Sequence, residues 1–110
     1  MQIALERHGD VVVVLPTGRL DTNTSSELEG ELLPLVEEPG QRVVMDMESL
    51  SYVSSAGLRV LLMAAKRSRI AGGGLVLCNL SDSIREVFDV SGFSAIITLE
   101  SDREAALAAV

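Results

Sequence analysis

Two adjacent serines, Ser54 and Ser55, followed by the small residues Ala56 and Gly57, are the side chains best placed to do chemistry. They stand just ahead of Leu58, Leu61, Leu62 and Ala65, which recur on one helical face, with Arg59, Lys66 and Arg67 on the other. The pattern predicts a helix that opens at Ser55. A helix start presents free backbone N–H groups and the positive end of the macrodipole. A serine there can cap the helix. It can also carry a phosphate, because the same N–H groups favour an anion. Phosphorylation adds about -1.5 to -2 charges. On an acidic surface that is enough to expel an acidic partner face without refolding anything. Ala56 and Gly57 leave the hydroxyl open to another protein's active site.

Other reactive constellations are missing. Val53-Ser54-Ser55-Ala56-Gly57 lacks the first glycine of a Gly-x-Ser-x-Gly nucleophile elbow. His8 is the only histidine and falls in the turn signal His8-Gly9-Asp10, so it reads as a surface residue. Cys78 is the only cysteine, which leaves no internal disulfide and no His/Cys pair for zinc. Gly72-Gly73-Gly74 precedes a strand, whereas a phosphate-cradling loop follows one and opens a helix; it reads as a helix stop. No catalytic residue, metal ligand or cofactor is assigned, and an enzyme is disfavoured.

The elements that must hold the serines follow from periodicity. Ile3 and Leu5 alternate with polar neighbours, and Val11 to Leu15 is a continuous apolar run; together they predict a hairpin closed by Pro16 and Gly18. Arg19 to Asn23 reads as a polar connection. Thr24 and Glu27 have capping-box spacing before Leu28, Leu32, Leu35 and Val36, a helix that Pro34 should kink or end early. Arg42 to Met47 reads as a central strand with Asp46 at its carboxyl end, and Glu48 to Ser54 as a loop. After the serine helix come a strand at Leu75 to Cys78 and a short helix capped at Ser81-Asp82-Ser83, carrying Ile84, Val87 and Phe88. Gly92 ends that helix. A strand at Ala95 to Leu99 and a final helix behind a Ser101/Glu104 capping box complete the order β-β-α-β-α-β-α-β-α. This predicts an α/β fold: a mixed sheet with an N-terminal hairpin and about four helices packed on it.

The chain has 110 residues, which predicts one domain over 1–110. Hydrophobic residues are 47% and aromatics only 3%, so the core must be aliphatic. Sixteen acids against nine bases give a net charge of -7, which argues against nucleic acid and against an anionic membrane surface. No apolar run approaches the roughly 20 residues that span a bilayer, and the start has no signal-peptide pattern, so the cytoplasm is expected.

The segment VVMDMESLSYVSSAGLRVLL resembles the signature of STAS domains, specifically of bacterial anti-sigma factor antagonists. PTGRLDTNTSSEL resembles that family's Gly-x-Leu-Asp segment, and GGGLVLCNLSDSIREVFDVSGFSAII its Gly-Gly strand, short helix and Ser-Gly turn. The resemblance covers essentially the whole chain and implies a STAS fold. It also implies partner switching. The unphosphorylated antagonist binds an anti-sigma factor that is also a serine kinase, and so frees a sigma factor. Phosphorylation at the helix start ends binding, and a PP2C-type phosphatase resets the cycle. Many relatives read Asp-Ser-Ser-Gly or Asp-Ser-Thr-Gly, with the acceptor directly before the glycine. Here Ala56 holds that place, so Ser55 is the implied acceptor and Ser54 the alternative. Asp21, Thr22, Ser54, Ser55, Gly57 and Arg59 are the implied partner-binding residues; Asp46 matches a further acid, whose expected job is to cap the loop. The rival expectation is a non-switching STAS interaction subunit of a transport or signalling complex.

Overall fold

Val11–Val14 alternate between two cores, and that alternation sets the architecture. In the computed structural model, which describes Met1–Val110, Val12 and Val14 join the larger core while Val11 and Val13 join a smaller one. The same split recurs in Val43 and Met45 against Val44, and in Leu75 and Leu77 against Val76 and Cys78. A strand turns successive side chains to opposite faces, so this sheet is covered on both.

The chain runs β1 (Gln2–His8), β2 (Val11–Leu20), α1 (Ser25–Glu37), β3 (Arg42–Asp46), β4 (Leu50–Val53) and α2 (Ser55–Ile70). It continues through β5 (Gly74–Cys78), α3 (Asp82–Ser91), a single 3₁₀ turn at Phe93–Ala95, β6 (Thr98–Glu100) and α4 (Arg103–Ala109). The sheet order is β1-β2-β3-β5-β6, with β1 antiparallel to β2 and the other neighbours parallel; β4 pairs with the far end of β2. The larger core takes Leu28, Leu32 and Val36 from α1, Leu58, Leu61 and Ala65 from α2, and Ile84 and Phe88 from α3. The smaller core is closed by Ala106 of α4.

The mixed sheet, the leading hairpin and the four helices agree with the expectation. Several boundaries differ. β2 does not close at Pro16 but runs on to Leu20: Pro16 keeps its place opposite Ile3 in the β1 ladder, and on the other side it falls between β3, which pairs with Val11–Val14, and β4, which pairs with Gly18–Leu20. A proline is tolerated in a strand that lacks a partner on one side. The expected loop before Ser54 contains β4, whose buried ends Leu50 and Val53 enclose exposed Ser51 and Tyr52, a spacing without strand alternation. Leu5 is 49% exposed because β1 is an edge strand.

Helix ends differ as well. α1 passes through Pro34 to Glu37; three fully buried side chains, Leu28, Leu32 and Val36, outweigh the one lost hydrogen bond. Thr24 makes no side-chain cap, since its Oγ1 accepts from Asp21 N–H at 2.9 Å instead, while the hydroxyl donates to the Arg19 carbonyl at 2.6 Å. α4 is capped by Asp102 rather than Ser101, with Oδ1 accepting from Ala105 N–H at 2.8 Å. Of the strand expected at Ala95 to Leu99 only Thr98 and Leu99 are extended, within β6, and Ala95 closes the 3₁₀ turn.

Candidate functional site

The serine pair is set by the seam between β2 and β4. Arg19 pairs with Tyr52 and Leu20 with Val53, and Ser54 N–H then donates to the Leu20 carbonyl at 2.8 Å. Ser54 is still extended, with φ -89° and ψ 173°, and is the N-cap of α2. Its Oγ accepts from Gly57 N–H at 3.2 Å and its carbonyl accepts from Leu58 N–H at 2.9 Å. One serine is thereby committed to structure.

Ser55 is the other case. It is the first helical residue, it is exposed, and its hydroxyl makes no hydrogen bond within the chain. The amides of Ser55 and Ala56 precede the first intrahelical bond, so they are the orphan donors of the helix start. The site therefore pairs a free hydroxyl with local positive potential.

Gly57 is buried rather than surface-facing. A Cβ there would lie 2.6 Å from Leu20 Cγ, 2.9 Å from Leu20 Cδ2 and 3.2 Å from the Leu20 carbonyl oxygen. Its role is to let the Leu20–Asp21 corner seat against the first turn of α2. This brings the loop carrying Asp21 and Thr22 beside the serines.

Asp21 folds that loop on itself. Its Oδ1 accepts from the N–H of Asn23 at 3.0 Å and of Thr24 at 3.1 Å, while its own N–H donates to Thr24 Oγ1 at 2.9 Å. The Thr24 N–H, ahead of the Asn23 N–H, holds the Asp21 carboxyl below the usual carboxylate range. Thr22 is exposed and its carbonyl accepts from Ser25 Oγ at 3.2 Å. Arg59 is exposed, makes no ion pair, and stands one helical turn beyond Ser55.

Two neighbours escaped the sequence reading. The Arg19 guanidinium lies 4.3 Å from the centroid of the Tyr52 ring, close enough for a cation–π contact. Only the β2–β4 pairing brings them together, and that pairing had no alternating signal. The second is Arg103. Asp46 is 3% exposed and accepts from Glu48 N–H and Asn79 Nδ2, each at 3.1 Å, and from Arg103 Nε at 3.1 Å. Arg103 Nη2 adds a contact at 3.0 Å, and Nη1 reaches toward Glu6 at 3.4 Å. Asp46 thus caps the loop after β3, as expected of it, and anchors α4 besides. Burial, and then the Asp46 carboxylate, push the Cys78 thiol up to about 11, which keeps it protonated and unreactive at neutral pH.

The remaining sequence candidates stay apart from this corner. His8 lies on the β1 edge with Nε2 3.8 Å from Glu6. No group of His, Cys, Asp and Glu is placed to hold a metal ion. No helix is long and apolar enough to cross a membrane. The arrangement around Ser55 can accept a phosphoryl group from, or dock against, another protein.

Residues 2–106 match the family model described as the STAS domain. BtrV of Bordetella bronchiseptica, which carries the provisional name of anti-sigma factor antagonist, is 40% identical over 109 residues, spanning 99% of this chain and 94% of that protein. An anti-sigma factor antagonist from Mycobacterium paratuberculosis has the same fold at TM-score 0.85 and 24% identity, over 99% of this chain and 92% of that one. The Bacillus cell fate determinant SpoIIAA, solved in its phosphorylated form, matches at TM-score 0.72 and 22% identity, over 99% of this chain and 100% of that one.

Proposed function

This chain belongs to the STAS domain family, and from that premise we propose that it is an anti-sigma factor antagonist that acts by partner switching as a single cytoplasmic domain. The unphosphorylated chain binds an anti-sigma factor that is also a serine kinase, and a sigma factor is released. The kinase, holding ATP, transfers the γ-phosphoryl group to Ser55 Oγ, and the complex separates. A PP2C-type phosphatase restores the hydroxyl. Regulation, not catalysis, is the chain's own task.

One observation carries this reading: Ser54 Oγ is occupied as the cap of α2, whereas Ser55 Oγ is exposed and unengaged at the same helix start. The likeness to SpoIIAA, known in a phosphorylated form, supports it. Asp21, Thr22 and Arg59 supply the contacts by which the kinase recognises the hydroxyl. Phosphate at Ser55 is retained locally by the helix-start amides and by Arg59. It adds about -1.5 to -2 charges to the docking face, so the partner is expelled by charge while the fold stays intact.

Binding of the cognate anti-sigma kinase to Ser55→Asp and Ser55→Ala variants tests this. The Asp variant is expected to bind at least about tenfold more weakly, a difference of about 1.4 kcal/mol. Equal affinities would overturn the switching mechanism. They would favour a second reading, suggested by Ala56 at the position directly before Gly57: a non-switching STAS interaction subunit of a transport or signalling complex.

A further inference from the structure

The Arg19–Tyr52 contact has a backbone cause. β4 pairs with β2 through a one-residue irregularity: Gly18 is opposite Leu50 but Arg19 is opposite Tyr52, so Ser51 is an extra residue. Ser51 Oγ donates to the Gly18 carbonyl at 3.3 Å and ties the bulge down. A regular strand returns to the same face every second residue, which would carry Tyr52 into the core behind Leu50. The bulge re-aims it. Leu50 is 4% exposed and Tyr52 41%. Arg19, its partner across the ladder, is exposed as well.

The charges around this pair are unbalanced. The chain is acidic, at -7, and Arg42, Arg67, Arg85 and Arg103 each stand against a carboxylate. Arg19 makes no ion pair; its guanidinium lies over the Tyr52 ring instead. Asp21, two positions on, turns its carboxylate to the N–H groups of Asn23 and Thr24. A guanidinium stacked on a ring keeps its edge N–H donors free for a planar, bidentate acceptor. Two neighbouring strands already hold both side chains, so less freedom is lost on docking. Tyr and Arg are also the residue types that most often dominate interface energies. Ser55 follows Tyr52 by three residues, no more than about 11 Å of chain.

We propose that the Arg19–Tyr52 pair is the anchor that selects the partner. An Asp or Glu side chain of the anti-sigma kinase is taken by the Arg19 guanidinium, and an apolar neighbour of that acid rests on the Tyr52 ring. The inference rests on the reading of this chain as the ligand of such a kinase, and adds the sign of the partner's charge and the two residues that read it. Phosphate at Ser55 then repels the same acid.

The test is the affinity of the full chain for the anti-sigma kinase proposed as its partner, with ADP in place of ATP so that no phosphoryl transfer intervenes. Arg19→Gln is expected to bind at least about tenfold more weakly. Arg19→Glu should bind more weakly still, because it sets like charges against each other. Arg69→Gln makes the same change of charge about 21 Å along α2 from Ser55, and should stay within about twofold of the unaltered chain, since that distance exceeds the Debye length. Tyr52→Phe keeps the ring and should bind normally, whereas Tyr52→Ala should lose about tenfold. Raising the salt should weaken the unaltered chain and affect Arg19→Gln less, a difference that a merely structural contact does not produce. Unchanged affinity in Arg19→Gln, or tighter binding by Arg19→Glu, overturns the proposal and leaves switching at Ser55 intact. Failure of the unaltered chain to bind that kinase overturns both. The Arg19 variants alter only an exposed side chain, so they decide even if Tyr52→Ala fails to fold.

Discussion

Ser54 and Ser55 differ by one position and by what their hydroxyls are committed to. The capping oxygen of Ser54 satisfies Gly57 N–H, so Ser54→Ala leaves that donor unpaired and should cost about 1 kcal/mol. Ser55 has no such bond, and Ser55→Ala should change stability by less than about 0.5 kcal/mol. Urea unfolding of the two variants separates the roles. A larger loss for Ser55→Ala would show that the exposed hydroxyl is a structural one. Sequence alone left the two serines as alternatives, because a capping residue and a first-turn residue are both favourable places for serine. Only the ψ of Ser54 and the direction of its Oγ distinguish them.

The elements supply what the residues cannot. Gly57 was legible as a small residue near a hydroxyl, but its reason lies in another element: Leu20 at the end of β2 occupies the space a Cβ would need. Leu20 is fully buried and cannot give way easily. Gly57→Ala should therefore destabilise by about 1–3 kcal/mol, as overpacking does. It should also shift the amides of Leu20 and Asp21 in NMR spectra, and an unperturbed Asp21 would contradict this account of the corner. The helix faces, the central strand and Asp46 at its end followed from hydrophobic period, which is strong over long segments. β4 did not, because four residues with two exposed in the middle carry no alternation. With β4 unseen, the Arg19–Tyr52 contact and the true length of β2 were unseen too. The caps at Thr24 and Ser101 failed for a related reason. Several adjacent Ser, Thr and Asp residues compete for one helix end, and tertiary contacts choose among them.

At the scale of the whole molecule, the proposed switch requires that the acceptor be presented by a frame that does not change when the charge does. Arg103 ties three distant parts of that frame together: α4, Asp46 at the end of β3, and Glu6 on the β1 edge. Arg103→Ala strips buried Asp46 of its cationic partner. It should cost about 1.5–3 kcal/mol while keeping a single cooperative transition, since both cores share the same sheet. A separate early transition of the terminal segment would show that α4 is a detachable layer. With such a frame fixed, the proposed switch reduces to the state of one oxygen. The direct measurement is to incubate the chain with the anti-sigma kinase proposed as its partner and ATP and map the product by mass spectrometry. One phosphate is expected on Ser55, present in Ser54→Ala and absent from Ser55→Ala. Phosphate on Ser54, or none on either serine, would contradict the account.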